Sequence, residues 1–161
     1  MIDRYLKTAF VAALGAMALL YVIHNIMNLE QAYGAVGYVL GLENNAVFVA
    51  NILPAIGGPA VRALAWVIFL FEIATGVICL WGAWRLWQAR GADSAGFEAA
   101  KGTAKLGAGL AVIVWFGFFG VIGGAGYQMW QSEIGSGSLA DAFKFSVWGL
   151  LVLIYLGQRE D

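Results

Sequence analysis

The chain has 161 residues, 61% of them apolar and 12% charged, with a formal net charge of -1 and a mean hydropathy of +0.79. A soluble domain of this size covers itself with charged side chains, so this balance excludes one, whereas a bilayer accepts exposed Leu, Val, Phe and Ala. The near-neutral charge excludes the basic field of a nucleic-acid binder, and Cys79, the single cysteine, excludes an internal disulfide or a cysteine-built metal centre.

The opening MIDRYLKTAF has the two basic residues of a signal peptide, but the apolar run over residues 8–27 is as long as a spanning helix, which takes about 20 residues. Ala9, Ala12, Ala13, Gly15 and Ala16 read as a small-residue packing face, so this segment is expected to be a retained first span. Residues 28–62 are apolar and Gly-rich. A short helix is expected over residues 43–52, followed by the helix-stopping LPAIGGP, with the whole segment packed on the outer surface.

The second span is predicted over residues 63–84, interrupted only by Glu72 and Thr75. A polar connector follows, QARGADSAGFEAAKGTAK, in which Ser94 ahead of Phe97 suggests one helical turn and no catalytic motif is visible. Residues 106–124 form the third span without any ionisable group; Gly120 and Gly124 make a GxxxG pair there, and Gly117 and Gly123 extend the smooth face. Packing within the bundle is the plainer use of that face, ahead of dimerisation or docking. GYQMWQSEIGSGS then forms an outer cap, Ser138 is placed to cap the last helix with Asp141 at its third position, and the fourth span is predicted over residues 139–158. Residues 1–161 thus read as one membrane domain. The expected architecture is all-α, a four-helix transmembrane bundle with a long, partly helical outer loop between spans one and two.

Four spans place both ends and the polar connector on one side. Arg4, Lys7, Arg85, Arg90, Lys101, Lys105 and Arg159 fall on that side, against Arg62 and Lys144 on the other, which predicts an N-in, C-in orientation in a bacterial cytoplasmic membrane. Trp81, Trp84 and Trp87 at the inner end, and Tyr127 and Trp130 at the outer end, suit headgroup belts.

Two residues have the chemistry for a site. Glu72 lies well inside the second span, where a carboxyl is costly unless protonated, paired or wetted. The plainer reading is a protonated or hydrogen-bonded carboxyl tying two helices together; the functional one is a proton relay or substrate contact. Its available partners are Asn25, His24, Thr75, Trp115 and Ser146. His24, the only histidine, supplies a single ligand, so it reads first as a structural hydrogen-bonder and second as an axial ligand for a pigment or haem. No other cofactor is expected. No metal site is expected either, because Glu72 and His24 occupy different helices at different depths.

Taken together, several segments resemble a known family: the first span ending in His24-Asn25, FEIATGVICLWGAWRLW around Glu72, the FEAAKG run, and WFGFFGVIGGAGYQMWQS followed by AFKFSVWGLLVLIYL. The family is that of bacterial predicted small integral membrane proteins, the domain-of-unknown-function family numbered 2165, and the similarity is spread along nearly the whole chain. It implies a four-span protein with no established biochemical activity, and Glu72 matches the family's membrane acid. This chain departs from the pattern where relatives carry two adjacent asparagines in place of His24-Asn25 and an acidic residue in place of Ala125.

The expected function is that of an accessory or scaffolding subunit of a larger membrane complex, surrounded by membrane lipids, bound to another integral membrane protein and not to nucleic acid. A proton-coupled or solute transporter using Glu72, or a pigment- or haem-binding subunit using His24, are the alternatives.

Overall fold

A computed structural model describes residues 1–42 and 45–160. Among these residues there are five α-helices: α1 (Ile2–Met27), α2 (Leu29–Leu40), α3 (Pro59–Ala89), α4 (Ser94–Val112) and α5 (Glu133–Gly157). A π-helical segment, Ile113–Gly126, continues α4, and a 3₁₀ turn, Met129–Gln131, precedes α5. Among the described residues no strand occurs. Four of the helical rods, counting α4 and its π-helical continuation as one, are long and apolar enough to cross a membrane.

Each rod buries a stripe at three- and four-residue spacing and leaves its other faces outward. In α3 the stripe runs Val61, Ala65, Phe69, Glu72, Thr75, Gly76, Cys79, Gly82, Ala83 and Leu86; in α4 it runs Phe97, Ala100, Lys101, Ala104, Gly107, Ala108 and Ala111. The outward faces are strongly apolar, with Trp81, Trp84, Phe116 and Phe143 all more than half exposed. Lipid tails are as apolar as Leu, so burial alone does not hold such rods together; close backbone packing does. Glycines mark where this happens. A Cβ on Gly82 would lie 2.6 Å from Ala104 Cα, one on Gly107 would lie 2.6 Å from Cys79 Sγ, and one on Gly15 would lie 2.8 Å from Cys79 Cβ.

The rods pack in sequence order, α1 on α3, α3 on α4, and α4 on α5. Between α1 and α5 the bundle is open, leaving an apolar groove of about 550 Å³ lined by Phe10, Ala13, Leu14, Met17, Trp148, Leu151 and Val152. Tyr21 against Phe145 and Phe10 against Tyr155 bridge it.

Several sequence expectations change here. The buried stripe of α1 is Lys7, Val11, Leu14, Gly15, Ala18 and Val22, while Ala9, Ala13 and Ala16 face outward; of the small residues expected at the interface, Gly15 makes the close approach to α3. The helix expected over residues 43–52 is absent from Asn45 to Ile52, and Glu43 and Asn44 lie outside the described residues. The helix between the first two spans is instead α2, directly after α1. The polar connector is helical from Ser94, capped by Asp93, whose carboxylate accepts from Gly96 N–H at 2.8 Å. At the last helix Ser132, not Ser138, is the cap: its Oγ accepts from Gly135 N–H at 3.1 Å, and Ser138 lies inside α5.

The GxxxG reading is also revised. Gly117 and Gly120 have only their own helix near them, whereas a Cβ on Gly124 would lie 3.1 Å from Leu139 Cδ1 on α5. Around them the backbone bonds in the wider i→i+5 pattern, as where Tyr127 N–H donates to Ile122 O at 2.8 Å. The close contacts of this stretch fall on Gly123, Gly124 and Gly126, against Met129, Leu139 and Leu53.

Candidate functional site

Glu72 occupies the buried stripe of α3 and is 3% exposed. Asn25, near the C-terminal end of α1, donates through Nδ2 to Glu72 Oε2 at 3.5 Å, a long bond that joins the two helices. The other proposed partners turn elsewhere. Thr75 donates to Phe71 O at 2.8 Å, Ser146 donates to Phe143 O at 2.8 Å, and Trp115 packs its ring edgewise on Phe145. His24 is exposed, with Nδ1 2.9 Å from Leu20 O. His24 and Asn25 are neighbours on one helix and therefore point in different directions, so the structure brings Asn25 to Glu72 and turns His24 away. Among the described residues no group of three or more His, Cys, Asp or Glu could hold a metal ion.

The densest polar site lies at the other end of the bundle, and sequence reading missed it. Lys7 and Lys101 are 1% and 0% exposed. Lys7 Nζ meets Asp3 Oδ2 at 2.7 Å and Glu160 Oε1 at 2.5 Å; Lys101 Nζ meets Glu98 Oε1 at 2.6 Å and the same Glu160 Oε1 at 3.0 Å. Both ammonium groups also donate to Gln158 O, at 3.4 and 2.7 Å. Arg4 donates through Nε to Glu160 Oε2 at 3.3 Å and through one terminal nitrogen to Arg90 O and Ala92 O, while its guanidinium lies 4.7 Å from the centre of the Phe97 ring. Tyr155 O–H donates to Asp3, and Glu160 N–H donates to Glu98 Oε1 at 3.0 Å.

This cluster ties α1, the α3–α4 turn, α4 and the segment after α5 into one network. Three cations, Arg4, Lys7 and Lys101, face three anions, Asp3, Glu98 and Glu160, so the charge balances. Burial alone would push the Glu160 carboxyl up. Hydrogen bonds from Lys7 and Lys101, with their charges, outweigh that and hold it below the ordinary carboxylate value. A signal for the site was available: Lys101 falls on the Phe97–Ala104–Ala108 stripe of α4, and Lys7 lies four residues before Val11 on that of α1.

At the end of the bundle away from this cluster the segment after α2 crosses to the far side. Gln131 Oε1 accepts from the backbone N–H groups of Val47 at 2.9 Å and Phe48 at 2.8 Å, and Gln131 Nε2 donates to Phe48 O at 3.3 Å. Gln128 Nε2 donates to Ala50 O at 3.3 Å and Asn45 Nδ2 to Tyr127 O at 3.4 Å. Tyr127 is itself buried, its hydroxyl donating to Pro54 O at 3.3 Å, so it anchors this segment and does not join an aromatic belt; Trp130 stays exposed and packs edgewise on Phe48.

Residues 3–159 match the family described as "Predicted small integral membrane protein (DUF2165)". No curated protein and no solved structure shows a match to the chain.

Proposed function

From the premise that the chain belongs to the DUF2165 family of predicted small integral membrane proteins, we propose that it serves as an accessory or scaffolding subunit of a larger membrane complex. The observation that carries this reading is the outer platform. Val47, Phe48, Val49 and Ile52 are 68%, 57%, 81% and 85% exposed, on a segment beyond the ends of the spanning helices that Gln128, Gln131 and Tyr127 hold in place. Contiguous apolar side chains fixed on an extramembrane surface mark an interaction site. The partner is another integral membrane protein, and lipid covers the remaining apolar faces. Seven basic residues at the opposite end support the N-in, C-in orientation in the cytoplasmic membrane of a bacterium.

Mild-detergent purification from native membranes tests this. The expected product is a complex of fixed stoichiometry that the pair Val49→Asp and Ile52→Asp dissociates without unfolding the bundle. Recovery of only the free chain with lipid contradicts it.

A second reading, proton or solute movement, draws on Glu72, whose carboxyl is buried in a spanning helix beside Asn25. Unchanged proton-linked uptake by Glu72→Gln in proteoliposomes removes that reading.

A further inference from the structure

The inner cluster has one member unlike the others. Lys7 and Lys101 each have an acid on their own helix, Asp3 and Glu98, one turn away. Glu160 belongs to no helix: α5 ends at Gly157, Gln158 is extended with ψ 130°, and the carboxylate enters on the strap that follows. Both lysines nevertheless converge on one oxygen of that carboxylate, and Arg4 takes the other. Without Glu160 the helices and the α3–α4 turn leave one positive charge unmatched among buried side chains, a costly arrangement.

The site also adjoins the surface at which lipid phosphates lie. Asp3 and Glu98 side chains are 44% and 32% exposed, and Tyr5, next to Arg4, packs edgewise on Trp87 of the inner tryptophan group. Ammonium and guanidinium groups that accept a carboxylate accept a phosphate by the same charge-assisted hydrogen bonds.

We propose that Arg4, Lys7 and Lys101 form an oxyanion site that the chain fills with its own Glu160, and that the strap is a displaceable latch whose place a phosphate group takes. That phosphate comes from an anionic lipid headgroup or from a free anion, and the experiment separates the two.

The full chain is purified in a maltoside detergent, which carries no phosphate, and exposed to a water-soluble amine-acetylating reagent, with modification read by peptide mass spectrometry. Lys144, whose side chain is 58% exposed, is the internal reference. In the unaltered protein Lys7 and Lys101 react at least about tenfold more slowly than Lys144, because they must wait for local opening. In Glu160→Gln both rates rise toward that of Lys144. Protection returns on adding inorganic phosphate if the ligand is a free anion, or on adding phosphatidylglycerol to the micelles if it is a headgroup. Should Glu160→Gln lose its helical circular dichroism, Glu160→Asp, which keeps the charge on a shorter arm, carries the same comparison. The proposal is overturned if the altered protein stays as protected as the original, or if the lysines open and neither phosphate source closes them again.

Discussion

Lys7 and Lys101, on the first and fourth helices, share a single acceptor atom: Glu160 Oε1 lies 2.5 Å from one ammonium group and 3.0 Å from the other. A carboxylate held this way by two fully buried cations fastens the segment after α5 onto the bundle.

Removing one partner of such a set leaves the rest uncompensated. Lys101→Met is expected to lower stability by about 3 kcal/mol, the low end for a broken buried pair, because Glu160 keeps Lys7 and Arg4. Denaturant titration in detergent, followed by circular dichroism, checks this. A loss under about 1 kcal/mol, the range of a surface pair, contradicts it.

The same carboxylate predicts a pH dependence. Glu160 in the folded protein titrates below its ordinary value of 4.5, so its contribution is complete above that value and is lost as pH falls through the lowered one. The difference in melting temperature between the unaltered protein and Glu160→Gln is therefore expected to be constant from about pH 7 to pH 5 and to shrink below about pH 4. Asp3 and Glu98 titrate in both proteins, so the difference isolates Glu160. A gap that does not change down to about pH 3 contradicts the ion-pair account.

Glycine substitutions separate packing from helix propensity. Gly107→Ala forces a Cβ to within 2.6 Å of Cys79 Sγ and 2.8 Å of its backbone nitrogen, and is expected to cost about 1–3 kcal/mol or more. Gly109→Ala, on the same helix with nothing within 4 Å, is expected to gain up to about 1 kcal/mol. Equal effects at the two sites would remove the claim that α3 and α4 meet backbone to backbone.

Gln131→Ala removes the acceptor shared by Val47 and Phe48 N–H. Hydrogen exchange is expected to quicken in residues 45–53 and to stay unchanged in α3 and α4. Unchanged exchange in residues 45–53 would show that other contacts hold the platform.

The spanning rods were legible because long runs without charge have no other explanation in so short a chain. Their ends were less so. The extension of α3 back to Pro59 and the start of α4 at Ser94 lie in mixed sequence, where Asp93 capping Gly96 is a geometric fact that composition does not announce. Helix α2 was hidden because LEQAYGAVGYVL has two glycines and no side-chain cap, so it reads as loop until Tyr33 and Glu30 meet Trp66 and Arg62 on α3. Glu72 stood out as a lone acid in an apolar run, and Asn25 was among its few polar neighbours. In the sequence Lys7 and Lys101 present only positive charges that orient the chain, since their burial depends on Glu160, far away in sequence and brought near only by the antiparallel return of α5.

Cysteine accessibility tests the membrane architecture most directly. Cys79 is 0% exposed and silent to an impermeant thiol reagent, so Gly57→Cys, ahead of α3, and Gly91→Cys, in the α3–α4 turn, report alone. The predicted result is labelling of the first in intact spheroplasts and of the second only after permeabilisation. Labelling of both from one side contradicts a crossing by α3, and with it the four-span bundle.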